Sequence, residues 1–307
     1  MRGIRQIVHT ILARQRRYLK VGNNSEIREH IKSIKQTVQI SSAQKLIAGA
    51  HIGKARRMLQ QSRLYHDRIR LTAASVLGDC EIENRYLDVG QITSKRGLLV
   101  ISADKGLAGG YNHNIIKLAT DTMAEEPVTR LLTVGHAGYR KFAAMDVPLD
   151  VDFNYSAENP TLFNAREMAE RIIYMYENDE VDCFDVIYTT FLNAAHLTPA
   201  LERLFPLSPE MLGAPRVHYA EYLPSADAVL EVLIPKYLKG YLFGCLVQAW
   251  ICELTSRINA MDGAIKNGNE MLETLTLQYN RIRQRAITQE ISEIVAGAAA
   301  MEEDDYF

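Results

Sequence analysis

From residue 25 onward, apolar or small side chains recur at alternating steps of four and three: Ile27, Ile31, Ile34, Val38, Ser41, Lys45, Ala48, Ile52, Ala55, Leu59, Ser62, His66, Ile69, Ala73 and Val76. Four of these positions are polar, yet the repeat is that of a helix packed along its length against another. Ser25 is a natural N-cap, and the helix predicted over 25–77 has 53 residues, about 80 Å at a rise of about 1.5 Å per residue. A helix of that length is not a core helix of an ordinary domain.

The last third of the chain repeats the period: Val247, Ile251, Leu254, Ile258, Met261, Ile265, Gly268, Leu272, Leu275, Tyr279, Ile282 and Ala286, after which the stripe shifts to Ile287, Ile291, Ile294 and Ala298. Pro235 suits the first turn of a helix that continues to residue 300. Two seams of one period at opposite ends of the chain predict an antiparallel intramolecular coiled coil; the alternative is two helices that each pair with another protein. Gly49, Gly53, Gly263 and Gly268 each cost a helix about 1 kcal/mol relative to alanine, and close approach of the two backbones would explain them.

Between the seams the period changes. Short branched runs at 98–101, 128–134, 149–153, 184–191 and 217–222 read as strands, with helical stretches at 112–124 and 161–178. Alternating strand and helix predicts an open α/β sheet of Rossmann type inserted between the coiled-coil arms. The resulting order is an N-terminal extension (1–24), a first long helix (25–77), an α/β domain (78–234), a second long helix (235–301) and an acidic tail (302–307).

Composition adds limits. Apolar residues make up 47% and charged residues 23%, so the chain can bury a core and is not disordered overall. No run of 18 apolar residues exists to span a membrane. The net charge of −2 hides a strong polarity: residues 1–70 carry 16 basic and 3 acidic side chains, leaving 19 basic and 34 acidic beyond them. Cys80, Cys183, Cys245 and Cys252 lack zinc-site spacing, and Cys245 and Cys252 stand about 10 Å apart on a helix, too far for a disulfide; buried thiols in a reducing compartment follow.

Candidate chemistry is sparse. The segment 102–112 follows a strand and opens a helix, where a phosphate loop would sit, but Gly106, Gly109 and Gly110 complete neither G-x-x-x-x-G-K-[ST] nor G-x-G-x-x-G. A structural turn built on Asp104, Gly106, Gly109 and Gly110 is favoured over nucleotide binding. His51, His66, His113, His136, His196 and His218 show no ligand spacing, and the acidic runs at 177–182 and 302–305 lack an apolar frame. No catalytic residue, metal site or cofactor is assigned, and nothing points to nucleic acid.

Three stretches together resemble the gamma subunit of the rotary ATP synthase. They are AMDGAIKN at 260–267 with LTLQYNR at 275–281, RQRAITQEI at 283–291 and VAGAAA at 295–300; the turn SADKGLAGGYN at 102–112; and Ile27, Arg28, Ile31, Ile34 with 40–50. The resemblance covers about residues 25–301. It implies a central shaft inside a hexamer of alpha and beta subunits, with further partners in delta/epsilon-type central-stalk subunits and the c-ring of the membrane sector. The chain would do no chemistry itself and would carry torque between ion flow and the catalytic sites. Shaft contacts with alpha and beta carry over to Arg257, Arg283, Gln284 and Thr288, and the cations of the first helix (Lys45, Lys54, Arg56, Arg57) and Gln44 would meet an acidic lever on beta.

The chain departs from the family where Ser42-Ala43-Gln44 replaces lysine-alanine-methionine, Ala108 a cysteine and Arg285 an alanine. Residues 1–24 lie outside the resemblance. With six basic and no acidic residues and an apolar face of Ile4, Ile7, Val8, Ile11 and Leu12, they read as a mitochondrial transit peptide, which would place the protein on the matrix face of the inner membrane. A surface amphipathic helix, or a bacterial extension with the protein on the cytoplasmic face of the plasma membrane, is the alternative. Two other functions remain: a shaft in a divergent, hydrolysing rotary ATPase, and an α/β nucleotide-binding protein with coiled-coil arms.

Overall fold

The computed structural model describes residues 24–79, 86–87, 94–193, 196–207, 212–213 and 221–304. Most of the N-terminal extension, Cys80 and most of the expected strand at 217–222 lie outside these residues; Glu221 and Tyr222 are not in a strand. Helix α1 runs over Asn24–Asp79 and helix α5 over Ala226–Asp304. The second helix therefore starts earlier than Pro235 implied. Ser225 Oγ accepts from the Ala228 N–H (3.2 Å), an N-cap bond that begins the helix ahead of the proline, which sits inside it.

Five strands form one sheet in the order β3-β2-β1-β4-β5: β1 (Arg96–Ile101), β2 (Arg130–Val134), β3 (Leu149–Tyr155), β4 (Cys183–Asn193) and β5 (His196–Phe205). All pairs are parallel except β4 with β5. Helices α2 (Tyr111–Glu125), α3 (His136–Phe142) and α4 (Leu162–Glu177) connect them. The fold is the expected α/β sheet between long terminal helices. Two elements were not anticipated. Helix α3 has seven residues, too few to show a period. Strand β5 contains Pro199, which pairs in register with Thr189 at the edge of the sheet, where a missing N–H is tolerated.

Strand pleating distributes β1 between two cores. Leu98 and Val100 pack with Tyr111, Ile115 and Ala119 of α2 and Phe142 of α3; Leu99 and Ile101 pack with Ala165, Met168 and Ile172 of α4. The second core also holds Ala73, Ala74 and Val76 of α1 and Leu230, Leu238, Leu242 and Leu246 of α5.

The chain divides into two compact units, one running from Gln44 to Ala260, the other formed by the chain up to Ala43 with the run from Met261 onward. The larger unit thus takes in stretches of both long helices, because their apolar faces share a core with the sheet. Within it, Ala48, Ala55 and Leu59 of α1 pack on Val247, Trp250, Ile251 and Leu254 of α5. Further along, Ser62 and Tyr65 lie against Gly244 and Gly240, so the helices run antiparallel. In the smaller unit a Cβ on Gly268 would come within 2.5 Å of Val38 Cγ2. Of the four glycines expected to mark close approach, only Gly268 does; Gly49 and Gly263 face open space, and Gly53 approaches only Arg57 of its own helix.

Candidate functional site

Side chains tie the turn after β1 to the loops around it. Asp104 accepts four hydrogen bonds: from Ser156 Oγ (2.6 Å), Ala157 N (3.0 Å) and Glu158 N (3.1 Å) after β3, and from His136 N (3.2 Å) at the start of α3. Burial alone would raise its pKa, but the donors from Ser156, Ala157, Glu158 and His136 together outweigh burial and hold the carboxyl below its ordinary value. Asn112 closes the loop from the other end, accepting from Ala103 N (2.9 Å) and donating to Lys105 O (3.2 Å). Gly109 has φ +56, which glycine adopts without strain. A cradle for phosphate needs unpaired N–H groups and no fixed anion. This turn carries a fixed carboxylate at Asp104 and a positive φ at Gly109, whereas a Cβ on Gly106 would meet open space and one on Gly110 only Asn114 at 3.6 Å, an ordinary contact.

The same turn grips α5. Ser256 Oγ donates to Ala108 O (2.7 Å), Arg257 Nη2 to Gly106 O (3.1 Å), and Tyr111 Oη to Ala249 O (3.1 Å). Arg257 is 7% exposed and stands 2.5 Å from the Glu253 carboxylate, itself 1% exposed. Burial pushes Glu253 upward in pKa against the pull of Arg257. Arg257, expected on the helix surface as a contact for other subunits, therefore spends its donors inside this chain. On the other side Lys54 Nζ of α1 donates to Asn159 Oδ1 (2.6 Å), and Lys105 pairs with Glu158 (2.8 Å).

These elements leave a groove lined by Gln44 and His51 of α1, Lys105 and Leu107 of the turn, and Trp250 and Arg257 of α5. Gln44 and Arg257, far apart in sequence, thus share one surface. Lys45 is half-buried beside Gln44, while Leu46 and Ile47 are exposed. The contributions of Lys105 and Trp250 were not seen in the sequence, because neither stands in the seam or in a ligand-like spacing.

Near the end of α5 the burial pattern changes. Tyr279 and Ile282 are partly covered, but every residue from 283 to 296 is exposed, including Ile287, Ile291, Ile294 and Val295. Gln284 and Thr288 share one face, and the Thr288 hydroxyl donates to Gln284 O (2.9 Å). At about 100° per residue Arg283 stands beside Ile287 and Ile294, while Gln284 falls between Ile291 and Val295 with Thr288 next to it. The expected contact residues thus stand beside the exposed apolar ones.

Among the described residues no group of histidine, cysteine and carboxylate side chains is arranged to hold a metal, and no helix is long and apolar enough to cross a membrane. Cys183, Cys245 and Cys252 are free and buried; burial drives Cys252 up to about 12 and Cys245 well above the usual thiol value.

Helix-on-helix packing at both ends of the sequence, with a mostly parallel sheet inserted between, defines a coiled-coil subunit carrying an α/β domain. Comparison with known proteins narrows this class. The family described as ATP synthase matches residues 23–301. The ATP synthase gamma chain of Ruminiclostridium cellulolyticum is 40% identical over 91% of this chain and 99% of its own length, and that of Staphylococcus carnosus is 32% identical over 92% and 100%. Among solved structures, a Euglena gracilis mitochondrial ATP synthase (OSCP/F1/c-ring, rotational state 3) has a chain with TM-score 0.67 at 16% identity, covering 92% of this chain and 96% of that one. The central stalk and c-ring of the Tetrahymena thermophila enzyme gives TM-score 0.56 at 19% identity, over 73% of this chain and 99% of that one. The chain belongs to the ATP synthase gamma chain family. The named curated relatives are bacterial, which favours the bacterial location weighed from the sequence over the mitochondrial one.

Proposed function

We propose that this chain is the rotating central shaft of an F-type ATP synthase, coupling ion flow through the membrane sector to synthesis or hydrolysis of ATP in a hexamer of alpha and beta subunits. The observation that carries the reading is the end of α5: a helix from a gamma-family chain, bare over 283–296, with an apolar side and a polar side. A rod whose faces differ biases three otherwise identical sites differently, because each site meets a different face and so a different contact free energy. On this reading the chain is not itself catalytic.

Arg283, Gln284 and Thr288 meet the hexamer along the bare helix, and Gln44 and Lys45 do so at the groove. Arg257 acts from within, by holding the turn that forms one wall of that groove. Delta/epsilon-type stalk subunits and the c-ring are the partners of the α/β domain, and the complex lies on the cytoplasmic face of a bacterial plasma membrane. The domain plan that goes with it keeps 25–77 and 235–301 as shaft and 78–234 as the α/β body. Co-expression with alpha and beta subunits tests the reading: the chain should co-purify with them in fixed stoichiometry and bind no nucleotide alone. A monodisperse chain that ignores those subunits and binds nucleotide at micromolar concentration would overturn it.

A further inference from the structure

A cavity of about 200 Å³ lies where α1, β4 and α5 meet, lined by Leu59 and His66, by Tyr188, and by Tyr241, Gly244 and Cys245. All of these residues belong to the unit from Gln44 to Ala260. Its inner walls are uncharged at neutral pH. Burial lowers the pKa of His66, with Asp67 opposing and Arg70 assisting, and burial raises that of Cys245 well above the usual thiol value. Tyr188 Oη (3.1 Å) and Tyr241 Oη both donate to Glu202 Oε2, so those hydroxyls are occupied. Arg63 also lines the cavity but is exposed. Among the described residues, His66 Nε2 is the one side-chain nitrogen or oxygen of this lining that is buried with no hydrogen bond. The Asp67 carboxylate stands 4.0 Å from Nδ1, which favours the ring proton on that nitrogen and leaves Nε2 as an acceptor.

The two glycines of α5 beside α1 differ in what they do. A Cβ on Gly240 would come within 3.2 Å of the Tyr65 ring, so close approach of the helices explains that glycine. A Cβ on Gly244 would meet only Ser62 Oγ at 3.7 Å, an ordinary contact, so packing does not demand a glycine there although glycine is unfavourable inside a helix. What the missing side chain leaves is room in the cavity wall. We infer that this cavity binds a flat, uncharged aromatic ring carrying one N–H or O–H donor, which it gives to His66 Nε2. The rings of His66, Tyr188 and Tyr241 offer stacking and edge contacts to such a body, and the uncharged walls disfavour an ion. Water is a poorer occupant, since each molecule needs about two to four polar partners and the lining offers one unused buried acceptor. The site stands apart from the surfaces assigned to other subunits and does not depend on the shaft reading.

The test is titration of the full chain with indole and with benzofuran, a ring of the same shape whose oxygen cannot donate, read by calorimetry and by the rise in melting temperature. The parent should bind indole about fivefold more tightly than benzofuran, the worth of one hydrogen bond. In His66→Phe, which has no acceptor, the two rings should bind alike. Gly244→Ala puts a methyl into the cavity at an ordinary contact distance, so its melting without ligand should be unchanged or higher while its affinity for indole falls severalfold. That combination separates a filled site from a damaged fold. No saturable binding of indole at millimolar concentration overturns the inference. So does equal affinity of the parent for the two rings, or an affinity for indole that Gly244→Ala leaves unchanged.

Discussion

Arg257 reaches across 151 residues of sequence to the carbonyl of Gly106 while its guanidinium stands against Glu253 on its own helix. The three groups make a buried joint between α5 and the turn. Arg257→Ala would strand the Glu253 carboxylate without its cation, so a loss of about 3–5 kcal/mol is expected in denaturant unfolding. Adding Glu253→Gln should return part of it, and purely additive effects would refute the joint.

Asp104 gathers donors from two other loops. Asp104→Ala leaves the N–H groups of His136 and Ala157 without their acceptor, and that of Glu158 with Ser156 Oγ alone, and should cost about 1–3 kcal/mol. Its folded pKa is depressed, so the stabilisation is present above the unfolded value of about 3.9 and is lost as pH falls through the folded one. The gap in melting temperature between parent and Asp104→Asn should therefore narrow on acidification below about pH 4.

His66 acts in the same direction at higher pH. Its ring packs beside the stacked pair of Tyr237 (4.8 Å) and Tyr241 (5.5 Å), and its Nε2 is buried without a hydrogen bond. Burial lowers its pKa, with Asp67 opposing and Arg70 assisting. The unfolded chain then takes a proton near pH 6.5 that the folded chain refuses, so stability should fall as pH drops from about 7 to 5. His66→Phe should flatten that slope; an unchanged slope assigns it to other groups.

Gly268 gives a test in the smaller unit. Gly268→Ala places a methyl 2.5 Å from Val38 Cγ2 and should destabilise the helix pair by about 1–3 kcal/mol. Val38→Ala opens the same space, so the double variant should be more stable than Gly268→Ala alone. Helix content and melting by circular dichroism read both.

Deleting 292–307 removes Ile294 and Val295 from the bare end of α5 and touches no residue of the unit from Gln44 to Ala260. Rotation or ATP turnover of the assembled complex should fall while the melting of that unit is unchanged. Loss of its cooperative transition would show the two to be linked.

The long helices were legible because a seam repeated over many turns leaves one periodicity only, and Ile27, Ala48, Ala55, Leu59, Val247, Ile251 and Leu254 are all buried as it demands. Strands β1 to β4 were legible from their branched runs. Strand β5 was not, since Pro199, Glu202 and Arg203 break the apolar run, and only edge position and pairing with β4 make it a strand. The start of α5 was misjudged because a proline is a weaker start signal than the serine that caps the chain ten residues earlier. Site residues divide along the same line. The identity of Asp104 as a turn residue followed from its local sequence, but its partners at 136 and 156–158 are set by the sheet order. The inward turn of Arg257 depends on a loop 151 residues away and has no local signal.

Pro199 has a further consequence. The outer strand of an open sheet is a template on which other chains can stack, and a proline there is one of the ways in which such growth is blocked. A subunit made apart from its partners spends time in solution with a bare apolar helix end already exposed. Closing off the sheet edge at Pro199 removes a second route to self-association during that interval.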